Sequence, residues 1–291
     1  MFDLIYRFDP TSAESHRVSQ TANEACQSLM NGNRNFVDVT DPRHPGKKTS
    51  VIAFDPRAFG WGVAEGKAPA QAPFAAVLGC ADARVPIEML FSKGCNELFV
   101  VRVAGNVLGQ ECLGSLRYAA SHFPSTLKLL VVLGHAKCGA VTQAVEVYLE
   151  PRRYLEMATD QSLRSIEDQI LVAVRVAAMG LEELYGPEIT RRPGCRAALL
   201  EGAVVLNAAW TAHCLQEEFR DRFSDLGVVF GAYDLVSRQV RLPISPPGGI
   251  TDEERGLFAP PQDVEGFRQL ALRVCGGNLV RGHLNQAQAG D

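Results

Sequence analysis

The sequence predicts an α/β fold in which a mostly parallel β-sheet is flanked by helices and preceded by an N-terminal helical arm. Between residues 73 and 150, apolar segments that suit buried strands alternate with segments that suit helices. Repeated strand–helix–strand units with apolar strands are typical of a parallel sheet covered on both faces. The length of 291 residues and the hydrophobic share of 46% are sufficient for such a core.

Three regions are expected along the chain. An N-terminal helical arm over residues 1–40 is followed by an α/β domain over 41–242 and a C-terminal extension over 243–291. Residues 12–30 carry apolar positions near helical spacing. Residues 41–72 are rich in proline, glycine and lysine, so we expect an irregular loop that buries a few aromatic side chains.

The α/β domain is expected to consist of a part in which strands and helices alternate, a helical part and a closing hairpin. The expected strands span residues 73–79, 97–103 and 127–133, and the expected helices begin near Pro86, Gln110 and Cys138. Residues 151–225 are expected to be helical with breaks, and residues 226–242 to form a hairpin. In the C-terminal extension, a helix is expected over residues 262–275.

Composition and charge exclude several classes of function. The net charge of −4 gives no basic surface for nucleic acid. The N-terminal residues do not resemble a secretory signal, and no apolar run approaches the ~20 residues that cross a bilayer. Eight cysteines spread thinly over the chain do not form a disulfide framework. A cytoplasmic location, without membrane or nucleic-acid partners, is therefore expected.

Two short motifs follow predicted strands. Cys80, Asp82 and Arg84 come directly after the first strand, and His135 and Cys138 come after the third. Parallel strands place their carboxyl ends at one edge of the sheet, where α/β proteins carry their sites. Two thiolates and one imidazole are a known ligand set for catalytic zinc, with the fourth position left for water. For an isolated His-x-x-Cys, buried cysteines and a satisfied histidine are the alternative, but the companion motif favours zinc.

The Asp82 and Arg84 pair adds a chemical role to this metal site. A free carboxylate beside zinc could become a ligand and displace water. A bidentate pair with Arg84 would hold Asp82 off the metal and orient it to accept a hydrogen bond from the water. Taken alone, an Asp-x-Arg pair is more often a surface ion pair worth ~0–1 kcal/mol.

Together these motifs resemble the β-class carbonic anhydrases, whose usual forms are C-x-D-x-R and H-x-x-C-G. Further segments that resemble the family are residues 29–36, 97–106 and 115–119, and the resemblance covers roughly residues 20–240. It implies one zinc per chain, held by Cys80, His135 and Cys138, with Asp82 and Arg84 as the catalytic pair. The helical arm would pack on a partner subunit.

The resemblance also implies a substrate pocket of the plant type. Its members would be Gln71, Phe99, Tyr118 and Gly139. In the family, some pocket groups come from across a subunit interface, so a homodimer or larger homo-oligomer is expected. Among the departures from the family, Ala81 and Ala83 replace two usual serines, Val103 replaces an asparagine, and Val77 replaces a tryptophan of an inhibitory bicarbonate site.

The expected function is zinc-dependent, reversible hydration of carbon dioxide to bicarbonate and a proton, which makes the protein a lyase with a small-molecule substrate. Two alternatives remain open. Carbonyl sulfide or carbon disulfide hydrolases use the same zinc ligands, and access to the pocket decides between these substrates. A zinc-stabilised scaffold without catalysis is the third hypothesis, but it predicts a damaged Asp82–Arg84 pair, and both residues are present.

Overall fold

The structure, a computed structural model, describes residues 2–9, 19–41, 43, 48–244 and 255–286. Its centre is a five-stranded sheet whose first four strands run parallel. These strands, with a short antiparallel fifth, are β3 (Ala75–Cys80), β4 (Leu98–Val103), β5 (Leu129–His135), β6 (Gly227–Tyr233) and β7 (Val240–Arg241), in the spatial order β4-β3-β5-β6-β7. The prediction of a mostly parallel sheet is confirmed.

Helices account for most of the remaining described chain. They are α1 (Ala22–Thr40), α2 (Ile87–Leu90), α3 (Gln110–His122), α4 (Gly139–Leu149), α5 (Arg152–Met157), α6 (Gln161–Tyr185), α7 (Cys195–Phe219), α8 (Val264–Cys275) and α9 (Asn278–Gln286). Short 3-10 turns occupy Pro56–Phe59, Ala104–Asn106 and Pro187–Arg191. The predicted start of α3 near Gln110 agrees with the structure, whereas α9 was not predicted.

The sheet is covered on both faces because its strands are apolar on both sides. On β3, Ala76 and Leu78 face a core built with α3, α4, α6, α7 and α8. Their neighbours Ala75 and Val77 face a second core built with α1 and α2. This alternation follows from the two-residue period of a strand, which points successive side chains of β3 into opposite cores.

The N-terminal part differs from the expected helical arm and irregular loop. Residues 2–8 form a strand, β1 (Phe2–Phe8), which pairs in parallel with β2 (Lys48–Phe54). A few aromatic side chains were expected to be buried in residues 41–72. Phe54 is buried, whereas Phe59 and Trp61 are 61% and 69% exposed. The alternation of β2 was hidden because lysine, threonine and serine occupy its first half. Part of the predicted 12–30 helix lies outside the described residues.

The long helix α7 is the most buried helix of the core. It is long and apolar enough to cross a membrane by composition, yet 72% of its most apolar window is buried inside the protein. A core helix has the same signature. Val204 and Ala208 of α7 lie against Gly134, where a Cβ atom would come within 3.3 Å of the helix. The sheet and α7 therefore pack closely beside the site.

Candidate metal centre

Three potential metal ligands meet at the carboxyl ends of adjacent strands. Cys80 is the last residue of β3 and His135 is the last residue of β5. These strands are direct neighbours in the sheet, so the two side chains reach the same edge. Cys138 follows after a two-residue turn and occupies the N-cap of α4. The topology thus gathers the predicted ligand set.

The geometry suits a metal ion. The ligand atoms of Cys80, His135 and Cys138 lie within 4.8 Å of one another, and all three residues are buried. The two sulfur atoms are 3.9 Å apart. Nδ1 of His135 lies 3.0 Å from the carbonyl oxygen of Ala136, which can only accept, so Nδ1 carries the proton. Nε2 then offers its lone pair, and this buried atom has no hydrogen-bond partner among the described residues.

The sulfur atoms influence each other's ionisation. The side-chain hydrogen bond with Cys138 lowers the pKa of Cys80, because it stabilises the thiolate against the cost of burial. The same contact raises the pKa of Cys138, since a second negative charge beside the first is unfavourable. A buried pair of thiols with one readily lost proton needs a cation to hold both as thiolates, and a metal ion supplies that charge.

Local backbone geometry positions the two motifs. A Cβ atom on Gly79 would come within 2.5 Å of the Ile87 side chain, so glycine allows α2 to pack beside the end of β3. Lys137 has a φ of 55°, in the left-handed region, which turns the chain sharply between His135 and Cys138. This turn lets residues three apart in sequence face one point.

Asp82 and Arg84 form the expected bidentate pair. Nε of Arg84 donates to Oδ1 of Asp82 at 2.9 Å and Nη2 donates to Oδ2 at 2.6 Å. These hydrogen bonds hold the pKa of Asp82 well below its usual range. Oδ2 of Asp82 also lies 3.8 Å from Nε2 of His135, so the carboxylate borders the ligand cluster. The carboxylate is 17% exposed, which leaves it open to water on one side.

Arg102 is a supporting residue to which the sequence analysis assigned no role. Its Nε donates to the carbonyl oxygen of Cys80 at 3.0 Å, and its Nη2 donates to that of Asp82 at 2.6 Å. Arg84 in turn donates to the carbonyl oxygen of Lys137 at 3.2 Å, which links the two motifs. The available signal was the position of Arg102 at the end of β4, beside β3 and on the same sheet edge.

The predicted pocket residues lie in different surroundings. Phe99 and Tyr118 both contact the ring of Phe123, each with a centroid distance of 6.2 Å, and Tyr118 is 48% exposed. Gln71 is exposed ahead of β3. Gly139 begins α4 next to Cys138, and a Cβ atom there would meet nothing within 4 Å. Their role in binding substrate remains a prediction.

Known families provide an independent comparison. The family model described as carbonic anhydrase matches residues 75–185, which include the three ligands, the Asp82–Arg84 pair and Arg102. This part of the chain is therefore similar to the carbonic anhydrases. The resemblance that the motifs predicted is confirmed for the part of the chain that forms the site.

Curated proteins named as carbonic anhydrases are similar to the same part of the chain. Carbonic anhydrase 2 of Mycobacterium tuberculosis (strain ATCC 25618 / H37Rv) is 40% identical over 121 residues, which are 42% of this chain and 51% of that protein. A carbonic anhydrase of Mycolicibacterium smegmatis is 40% identical over 117 residues, covering 40% of this chain and 50% of that protein. The chain spans about half the length of these relatives.

Solved structures are more distant. The β-carbonic anhydrase CcaA aligns with a TM-score of 0.47 and 19% sequence identity, covering 80% of this chain and 98% of that chain. Similarity at this level adds nothing to the resemblance to carbonic anhydrases, which depends on the sequence matches and the motifs.

Proposed function

We propose that this protein is a zinc-dependent carbonic anhydrase that reversibly hydrates carbon dioxide to bicarbonate and a proton. The observation that carries the proposal is the buried cluster of Cys80, His135 and Cys138 beside a carboxylate that Arg84 holds. Its position inside the region that matches the carbonic anhydrase family model supports the choice of reaction.

The donor set fits zinc better than the harder divalent cations. Thiolate and imidazole ligands favour zinc, whereas magnesium and calcium prefer oxygen ligands. Cys80, His135 and Cys138 would hold one zinc ion per chain. When bound, zinc supplies Lewis-acid activation of water as a nucleophile for carbon dioxide. The two sulfur atoms and Nε2 of His135 would supply the ligand atoms.

Asp82 and Arg84 would prepare the water for reaction. Arg84 keeps Asp82 ionised and fixes both of its oxygen atoms, so the carboxylate can accept a hydrogen bond without becoming a metal ligand. Arg102 would hold the backbone of Cys80 and Asp82 in register with the cluster. In this arrangement, Asp82 would orient the water and would accept a hydrogen bond from it as it loses a proton.

Gln71, Phe99, Tyr118 and Gly139 are proposed to shape the substrate pocket, and the protein is proposed to act as a homodimer or larger homo-oligomer. A refolding experiment tests a shared site. If Gln71 serves the partner's zinc site, mixed dimers of Cys80→Ala and Gln71→Ala chains contain one intact site. Activity above that of either parent is then expected. No recovery in verified mixed dimers would reject the shared site.

A gas assay tests the reaction itself. Zinc-loaded protein should hydrate carbon dioxide in a stopped-flow experiment with a pH indicator, and carbonyl sulfide and carbon disulfide should be offered in parallel. Hydration of carbon dioxide as the dominant activity is the expected result. Dominant hydrolysis of either sulfur compound would show that the substrate is assigned wrongly. No activity with any of the three compounds would favour the hypothesis of a zinc-stabilised scaffold without catalysis.

A further inference from the structure

A concave apolar pocket, which shares no lining residue with the metal centre, lies between the α/β domain and the C-terminal extension. It has a volume of about 260 Å³ and lies between α6, α7 and α8. Its wall is formed mainly by Val172, Val176, Leu206, Trp210, Phe267 and Ala271. The carbonic anhydrase match ends at residue 185, so α7 and α8, which supply four of these six residues, lie beyond it.

Tight packing around the pocket shows that it is a built feature of the fold. At one end, α6 and α8 approach so closely that a Cβ atom on Gly180 would lie 3.1 Å from that of Ala271. The rings of Trp210 and Phe267 meet edge to face, with centroids 5.6 Å apart. Phe267 is 8% exposed, so α8 is anchored beside the pocket by its own core residues.

The charges around the pocket are already paired. Arg268 and Glu183 are its two charged lining residues, and Nη1 of Arg268 lies 2.7 Å from Oε1 of Glu183. Arg268 makes a second ion pair with Glu265 at 3.2 Å. A charged ligand would have to compete with these pairs, whereas an uncharged apolar ligand needs no polar partner. The pocket is complementary in charge to a neutral molecule.

The extent of the apolar surface also favours a small ligand over a protein. Only three large apolar side chains at the rim are notably exposed, namely Val172, Met179 and Val264. Glu183 and Arg268 are about half exposed beside them. A stable protein interface buries about 800 Å² on each partner, which exceeds what three such side chains supply. Apolar cavities of roughly 150 Å³ already bind benzene-sized molecules.

We propose that the pocket between α6, α7 and α8 binds an uncharged apolar small molecule, aromatic or short-chain aliphatic. The apolar wall would supply the affinity through removal of apolar surface from water. The paired charges of Arg268 and Glu183 would select against charged analogues. The site is separate from the proposed carbonic anhydrase site and does not depend on that function.

Titration with a matched pair of probes tests the proposal. Toluene represents the neutral class and benzoate its anionic counterpart. Trp210 reports occupancy by fluorescence, and a Trp61→Phe background removes the only other tryptophan. Saturable quenching or a spectral shift with toluene, and none with benzoate over the same range, is the expected result. Equal responses to the two probes, or no saturable response to toluene, would overturn the proposal.

A filling substitution locates the binding. Val176→Phe places a ring in the pocket and should abolish the toluene response, while Val236→Phe, at a residue 73% exposed in the turn after β6, should leave it unchanged. Val172→Phe at the rim is the second variant if Val176→Phe does not fold, as judged by circular dichroism. A retained response in a folded filled variant would contradict the site. If Val264→Asp dissociated an oligomer in sedimentation, the pocket would be an interface between copies, and the proposal would be wrong.

Discussion

Two carboxyl groups of this protein, Asp82 at the metal centre and Glu167 in α6, have pKa values that are shifted in opposite directions. Bidentate hydrogen bonding to Arg84 lowers the pKa of Asp82. Glu167 is 2% exposed, and its Oε2 atom has no hydrogen-bond partner among the described residues, so burial raises its pKa to about 7. A fixed cation therefore outweighs the rise in pKa that desolvation causes, and the low pKa of Asp82 depends on the guanidinium group of Arg84.

The largest effect is expected from removing a ligand from the cluster that Asp82 borders. Cys138→Ala leaves two protein ligands, too few for a tight catalytic zinc site. Zinc content should fall well below one per chain, and hydration activity should fall by more than about 100-fold. Metal analysis and stopped-flow assays of the purified variant check this. Full occupancy with normal activity would show that Cys138 is not a ligand.

Arg84→Ala should leave the carboxylate of Asp82 without a paired cation, as that of Glu167 is within the described part of the chain. Without its partner, the carboxylate loses the interaction that depresses its pKa, and it becomes free to approach the metal. Hydration activity should fall by about 10–100-fold without loss of the fold. Arg57→Ala is the matched control, because Arg57 pairs with Asp55 in the same Asp-x-Arg spacing at 2.7 Å, away from the cluster. Near-normal rates for Arg84→Ala across pH 7 to 9 would show that the pair has no such role.

Arg102→Lys tests whether the hydrogen bonds from Arg102 hold the backbone of Cys80 and Asp82 in place. Lysine keeps the charge but cannot reach both carbonyl oxygen atoms with the fork of a guanidinium. Activity should fall by about tenfold or less, with zinc still bound, because the ligands themselves are unchanged. The measurement is hydration activity per bound zinc. An unchanged value would mean that the two hydrogen bonds of Arg102 do not position the site.

Glu167→Gln should have the smallest effect on activity and a measurable effect on stability. The folded-state pKa of Glu167 is raised from 4.5 to about 7, so its ionisation costs stability. That cost is absent below pH 4.5, grows as the pH rises to about 7 and is then constant. The glutamine variant should be more stable by about 1–3 kcal/mol at pH 8 and nearly equal at pH 4.5.

Urea unfolding of both proteins at the two pH values gives the required free energies of unfolding. Glu188→Gln, at a solvent-exposed glutamate whose side chain is 70% exposed, is the control and should show no such dependence. A stabilisation by Glu167→Gln that is the same at both pH values would show that ionisation is not its cause.

The sequence was most informative where function requires fixed residues at fixed spacing. Cys80, His135 and Cys138 could be placed together because each follows an apolar strand, and parallel strands end at one edge. Arg102 and Glu167 could not be assigned in this way. Their roles depend on contacts between segments distant in sequence, and a single arginine or glutamate in an apolar segment does not reveal its partner.

The N-terminal strand shows a different limit. The pairing of β1 with β2 joins segments more than 40 residues apart, and the polar first half of β2 gives little strand signal. In the C-terminal extension, by contrast, the helix expected over residues 262–275 agrees with α8. Local periodicity was therefore predictable, whereas long-range pairing and the pocket against α6 and α7 required the structure.

Zinc titration of metal-free protein tests the central claim most directly. The protein should first be stripped with a chelator and checked for retained fold, and zinc should then be added in measured portions while carbon dioxide hydration is recorded. If Cys80, His135 and Cys138 form one catalytic metal site, activity should rise linearly and level off at one zinc per chain. Full activity before zinc is added, or no activity at one bound zinc per chain, would contradict it.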